Sequence, residues 1–258
     1  MRKKTRLEWL MVVFIFVGSY YIGHLGAEMI RMHRQIKNQA KSETIACAQI
    51  EDTEAGENAS PSGKVMIDSG HGGFDSGKVG LDGSLEKDIN LQIALYLKDL
   101  LLQDGLEVEM IREEDVGLYD ENEANKKQQD MKRRVEKIEA SKPDLVVSIH
   151  QNSYTEEYVK GPQVFYYETS EKGKLLAGAL QESLNENLQI ERPREIKANN
   201  TYYILRKTPV PTVIVECGFL SNSEEVKLLN TQEYQQKVAQ AVREGILTFL
   251  GQEKSSIA

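Results

Sequence analysis

VMIDSGHGGFDSG, at residues 65–77, is the stretch on which the reading of the fold turns. Val65, Met66 and Ile67 are apolar, so residues 64–69 read as a short buried strand. Gly70, Gly72 and Gly73 then bracket His71. A strand that ends in glycines around a histidine lets the backbone approach something closely. It also leaves the imidazole at the strand's carboxyl end, where open α/β sheets hold their ligands. An ordinary surface-loop histidine is the competing reading. A phosphate loop is not, because neither GxxxxGK[ST] nor GxGxxG fits the run.

Outward from this strand, helix-like and strand-like stretches alternate. Residues 85–103 pattern as a helix with Ile89, Ile93, Leu97 and Leu101 on one face. Residues 107–112 read as a strand. Residues 130–141 read as a helix that places Met131, Val135 and Ile138 on one side. After Pro143, residues 145–149 form a buried strand. Residues 163–167, 201–205 and 213–216 read as further strands, and 173–188 and 231–250 as helices. This pattern predicts a single α/β domain, residues 64–252, with helices covering a mostly parallel sheet. The polar stretch 112–130 is expected to be a mobile loop, and there is no internal repeat.

The chain has 258 residues, which suits one domain of about 150–200 residues plus extensions. Its formal net charge of -8 gives no overall basic footprint, so no nucleic-acid partner is expected. Arg2, Lys3, Lys4 and Arg6 form a basic flank over residues 1–6. Residues 7–27 follow as a hydrophobic segment, almost wholly apolar from Trp9 to Tyr21. No clean A-x-A site follows, so an uncleaved membrane anchor is expected, with a cleaved export peptide as the alternative. The basic flank would stay inside and the remainder outside. Residues 28–63 read as a tether with little structure. The two cysteines, Cys47 and Cys217, supply no disulfide framework. Cys217 sits in an apolar strand-like run, where a buried free thiol is expected.

Four residues invite chemistry. His150 ends the apolar run LVVSIH, so it occupies the same structural position as His71. The other two histidines, His24 and His33, lie in the N-terminal region. Two imidazoles at strand ends are a natural start to a zinc site. Glu86 opens the first helix and can turn back toward the first strand's end, although a first-turn glutamate also simply suits the helix dipole. Glu216 ends the run Thr212–Val215, and a glutamate in so apolar a segment is costly unless paired or used. Together these residues supply three ligands for a catalytic zinc with an open fourth position, and one carboxylate to move protons. No G-x-S-x-G elbow offers a serine alternative.

Several separated blocks resemble the zinc-dependent N-acetylmuramoyl-L-alanine amidases of the amidase-3 type, most of all their sporulation and germination members. They are VMIDSGHGGFDSGKVG (65–80), LEKDINLQIA (85–94), LVVSIHQNS (145–153) and VIVECGFLSNSEE (213–225). The resemblance implies a twisted, mostly parallel sheet flanked by helices. It implies one zinc ion held by His71, Glu86 and His150, with Glu216 as the catalytic carboxylate. Arg134 stands where the family keeps an arginine, in a structural or substrate-orienting role. Ser69 departs from the family's usual proline, and Gln151 and Cys217 from its usual small or apolar residues. No ligand is lost.

The implied substrate is the amide between the lactyl group of N-acetylmuramic acid and L-alanine in peptidoglycan. The implied setting is spore cortex maturation, which leads to muramic lactam and hence germination. Placement would come from the membrane segment or from an accessory or activator protein, at the outer face of the cytoplasmic membrane or in the forespore intermembrane space. A carboxypeptidase acting on another wall amide is the nearest rival. A catalytically silent interaction protein is the other alternative, against which the intact Glu216 argues.

Overall fold

A computed structural model describes residues 63–255. The basic flank, the hydrophobic segment, Cys47 and all of the expected tether except Gly63 lie outside the described residues. Among the described residues no helix is long and apolar enough to cross a membrane.

In chain order the elements are β1 (Lys64–Ser69), α1 (Glu86–Gln103), β2 (Glu107–Met110), α2 (Lys126–Ser141), β3 (Leu145–Asn152) and β4 (Gln163–Tyr167). Next come α3 (Glu171–Asn187), β5 (Lys197–Asn199), α4 (Tyr203–Lys207), β6 (Thr212–Phe219), α5 (Glu225–Leu229) and α6 (Gln232–Ser255). The sheet runs β2-β1-β3-β6-β4-β5. β2, β1, β3 and β6 are mutually parallel, as expected of strands joined by helical crossovers. β4 is antiparallel to β6, and β5 follows β4. The reversal has a local cause. Residues 153–162, between β3 and β4, contain no helix to carry the chain back to the other end of the sheet. β4 therefore starts where β3 stops.

Side-chain alternation along the central strands splits the core in two. Val65, Ile67, Val147, Ile149, Val213 and Val215 face α1, α3 and α6 in the larger cluster. On α1, Ile93, Leu97 and Leu101 are fully buried there, each contributing about 1.5–3 kcal/mol. Met66, Val146 and Ile214 face the other way, against Ile138 of α2 and Ile204 and Leu205 of α4. Toward the strands' carboxyl ends this second face turns polar, through Asp68, Ser148, His150 and Glu216. The register pairs Asp68 with Ser148 and His150 with Glu216.

Three local readings are corrected. Residues 201–205 belong to no strand: Asn199 Oδ1 accepts from Thr201 N and Tyr202 N, both at 2.8 Å, and this turn starts helix α4. So short an apolar run does not separate strand from helix by periodicity. α2 begins at Lys126, ahead of the expected residue 130, because Asn125 caps it through Oδ1 to Gln128 N at 3.1 Å. The stretch 112–130 contains no inserted helical plug, but it is not loose. Arg112 is 3% exposed, and Asp115, Tyr119 and Asp130 all hydrogen-bond to main-chain N–H groups.

Arg134, 1% exposed, anchors α2 beneath the polar end of the sheet. It donates to Asp68, Asp130 and the carbonyls of Ser69 and His71. Ser148 Oγ donates to the other Asp68 oxygen at 2.6 Å. Burial pushes the Asp68 carboxyl up, but Arg134 and Ser148 more than offset this and hold it below the usual carboxylate range. Arg134→Met strands a buried charge and is expected to cost about 3–5 kcal/mol at neutral pH. Because the folded-state pKa of Asp68 is depressed, the stability it carries is present above the unfolded pKa of about 3.9 and lost as pH falls. The gap between wild type and variant, read by urea unfolding, is therefore expected to be widest near pH 7 and to narrow on acidification. A gap below about 1 kcal/mol at pH 7 would remove Arg134 from this structural role.

Candidate metal and catalytic site

The carboxyl ends of β1, β3 and β6 and the first turn of α1 open onto one cleft of about 590 Å³, lined by His71, Glu86, His150, Glu216 and Tyr202 among others. His71 follows β1 in the left-handed region, with φ 61°. For a residue with a β-carbon that conformation is strained by on the order of 1–3 kcal/mol. It turns the ring back over the sheet toward Glu86. The two imidazoles meet edge to face, centroids 4.9 Å apart. Gly70 makes this approach feasible, since a Cβ there would lie 2.3 Å from His150 Nε2. Gly77, at φ +67°, plays the same part for Glu86, whose Oε2 would stand 2.5 Å from an added Cβ.

Glu86 is the hub. Its Oε1 lies 3.1 Å from His71 Nε2, 2.9 Å from His150 Nδ1 and 3.1 Å from the Gln151 N–H. Its Oε2 accepts from Lys78 N at 2.8 Å. Burial opposes its ionisation, but the hydrogen bonds from both histidines hold the carboxyl far below its ordinary range. Asp75 Oδ2 sits 3.0 Å from His71 Nδ1, so the far side of that ring is oriented by a carboxylate. Burial works against a charged His71, yet Asp75 and Glu86 raise its imidazole to about 9.

Donor atoms of His71, Glu86 and His150 all lie within 4.8 Å of one another. Around a tetrahedral zinc with bonds of about 2.0–2.2 Å, ligand atoms stand roughly 3.3 Å apart. The separations from Glu86 Oε1, 2.9 and 3.1 Å, are close to that, so two imidazole nitrogens and one carboxylate oxygen fit the ion once the donor set, which spans up to 4.8 Å, draws together. The carboxylate–histidine pair at Asp75 fits as well.

Glu216 differs from Glu86. It is 8% exposed, and its Oε2 is buried without a hydrogen-bond partner. Burial pushes its carboxyl up to about 7, with His150 opposing and the Glu86 charge adding. An unpartnered buried carboxylate near neutrality, one strand from His150, is poised to take and return a proton.

The structure thus brings together His71, Glu86, His150 and Glu216, and puts Arg134 directly beneath them with its donors fully used. Cys217 points to the opposite face as a buried free thiol, its pKa driven up by burial, and takes no part. Sequence reading missed Asp75, Asn90 and Gln151. Gln151 Nε2 donates to Asn90 Oδ1 at 3.1 Å, and Asn90 Nδ2 donates to Gly70 O at 3.2 Å and reaches Glu86 Oε1 at 3.4 Å. Asp75 and Asn90 each lie four residues beyond a site residue, His71 and Glu86, and that spacing was their only sequence signal.

Residues 65–248 match the family model described as N-acetylmuramoyl-L-alanine amidase. The germination-specific N-acetylmuramoyl-L-alanine amidase of Bacillus subtilis (strain 168) is 36% identical over 192 residues, covering 73% of this chain and 80% of that protein. The CwlD amidase from Clostridioides difficile, solved in complex with the GerS lipoprotein, superposes with a TM-score of 0.71 at 37% identity, covering 73% of this chain and 98% of that one. The amidase AmiC2 of Nostoc punctiforme gives a TM-score of 0.65 at 33% identity, covering 73% and 97%. With residues 65–248, nearly all of its described residues, matched in this way, the chain belongs to the N-acetylmuramoyl-L-alanine amidase family of enzymes.

Proposed function

We propose that this enzyme hydrolyses the amide between the lactyl group of N-acetylmuramic acid and L-alanine in peptidoglycan. It would use one zinc ion held by His71, Glu86 and His150, with Glu216 as the proton-transfer group. The observation that carries this reading is the unpartnered Glu216 Oε2 facing the cleft beside three converging donors. When bound, the ion supplies Lewis acidity toward the scissile carbonyl and acidifies the attacking water. Glu216 accepts the proton that water loses as it adds to the carbonyl carbon. It then delivers a proton to the alanine nitrogen as the C–N bond breaks. The products are a lactyl carboxylate on the sugar and a stem peptide with a free L-alanine amine. Asp75 holds His71 in one tautomer throughout, and Arg134 keeps the floor of the site rigid.

The test is digestion of purified muropeptides by the zinc-loaded chain, read by mass. Release of intact stem peptide beginning at L-alanine is expected. Cleavage within the stem peptide, with the lactyl amide left whole, would overturn this reading in favour of a carboxypeptidase.

The setting is proposed on the same footing. The likeness to a germination-specific amidase supports a role in spore cortex maturation, toward muramic lactam. The GerS complex of the Clostridioides difficile relative supports an accessory protein here too. Residues 7–27 would hold the chain at the outer face of the cytoplasmic membrane, with residues 28–63 as the tether. A protein that begins near residue 30 and washes off membranes without detergent would make that segment a cleaved signal instead.

A further inference from the structure

We propose that Arg112 is a positioning residue for the metal-binding loop: its guanidinium gathers the carbonyls that follow β1 and so fixes His71 in its turned-back conformation. This rests on the reading of His71, Glu86 and His150 as the metal site.

Beyond Ser69 the main chain makes one more bond to the neighbouring strand, from Gly70 N to Ile149 O at 3.0 Å, and buried carbonyls left without donors are unfavourable. Arg112 Nε donates to Ser69 O at 2.9 Å and His71 O at 2.7 Å. Its Nη2 donates to Gly70 O and Lys87 O, both at 2.9 Å, and its Nη1 to Glu114 O at 3.0 Å. One buried side chain therefore ties three consecutive carbonyls around His71 to the first turn of α1, which carries Glu86. Arg134 also reaches this loop, but it is neutralised by Asp68 and Asp130. Arg112 differs: every hydrogen bond its guanidinium makes among the described residues ends on a main-chain carbonyl. A buried cation spent wholly on carbonyls is poorly explained as an ion pair and well explained as a clamp on backbone geometry.

The surroundings complete the clamp. A Cβ on Gly72 would meet Arg112 Nε at 2.8 Å and Val116 O at 2.4 Å, so the loop closes directly onto the arginine. Just beyond, Gly73 N donates to Asp115 Oδ1 at 2.9 Å and Phe74 N to Tyr119 Oη at 3.0 Å. Lys87 Nζ bridges Gly73 O at 2.8 Å and Asp115 Oδ2 at 2.6 Å. Both flanks of the strained His71 are thereby held while its Nε2 stays 3.1 Å from Glu86 Oε1. A lysine at 112 would bring three donors on one nitrogen and no planar fork, so it would satisfy only part of this set.

The experiment measures zinc affinity by competition with a chromophoric chelator, on the full-length chain in mild detergent, with a thermal melt for each variant. The variants are Arg112→Met, Arg112→Lys and Arg243→Met. The last breaks the Arg243–Asp104 ion pair at the opposite end of α1. Arg112→Met is expected to bind zinc about 10–100-fold more weakly, Arg112→Lys to fall between it and wild type, and Arg243→Met to stay within about twofold of wild type whatever its melting temperature. Wild-type affinity in a folded Arg112→Met protein overturns the proposal, as does an equal loss in Arg243→Met, which would make the effect one of general stability. If Arg112→Met does not fold, Arg112→Lys decides: a loss of at least about fivefold supports the clamp and unchanged affinity overturns it. A wild-type chain that takes up no zinc overturns the metal reading, and this inference with it.

Discussion

Glu216→Gln is expected to lower the rate of stem-peptide release by at least about 10²-fold while leaving zinc content and the melting temperature close to wild type. Glutamine matches glutamate in shape and still donates a hydrogen bond, but it neither accepts nor returns a proton. Amide hydrolysis depends on that return, because the alanine nitrogen leaves poorly without it. Stability is expected to hold because Glu216 Oε2 has no partner to lose. A neutral amide also escapes the burial that raises the native carboxyl. The measurements are stem-peptide release from a defined muropeptide, metal analysis and a thermal melt. A variant that keeps more than about a tenth of wild-type turnover would show that Glu216 is not the proton-transfer group, since general acid–base help is worth about 10²–10⁴-fold. Loss of zinc together with activity would instead make Glu216 a ligand and return Glu86 to consideration as the base.

Metal removal is the second large effect. Chelation is expected to abolish turnover, and added zinc to restore it in the wild type but not in His71→Ala or His150→Ala. The same addition is expected to stabilise the wild-type fold. An ion that binds only the folded chain contributes about 4.1 kcal/mol at a free concentration a thousandfold above its Kd. For a domain of this size that is a rise of about 10 °C in Tm, at roughly 2–4 °C per kcal/mol. In either histidine variant the rise is expected to shrink to about 1–2 °C or vanish. Equal thermal shifts in wild type and His150→Ala would place the ion somewhere other than between His71, Glu86 and His150.

Two parts of this site legible in the sequence share one property: His150 and Glu216 are polar residues at the ends of strongly apolar runs, whereas His71 was marked by the glycines that bracket it. His150 after LVVSI and Glu216 after TVIV stand out because burial makes them costly, and the sheet does place them side by side in register. Glu86 was ambiguous by position alone, since it can turn back toward the first strand's end but a first-turn glutamate also has a sufficient helical reason to exist; the resemblance to the family's helix block strengthened the first reading. The rest was hidden for physical reasons. Asp75, Asn90 and Gln151 act through hydrogen bonds to other site residues; Asp75 in its loop and Asn90 on its helix carry no mark of which way they point, and Gln151 alternates on β3 away from His150. Arg112 looked like the polar end of a strand followed by solvent-facing acids. Its burial depends on where the glycine loop folds, which only the tertiary structure contains. The run 201–205 misled for the opposite reason, because its apolar residues pack on α2 and β4 from a single helical turn.

His150 and Glu216 occupy facing positions on adjacent parallel strands. Their backbones are thus held at the interstrand repeat of about 4.8 Å, a spacing that main-chain hydrogen bonds set and side chains scarcely alter. None of the loops around the cleft mouth enters into that length. Changes to the cleft rim are thereby expected to leave this one span, between His150 and Glu216, at the length the sheet sets, whereas His71 and Glu86 follow the loop and the helix that carry them.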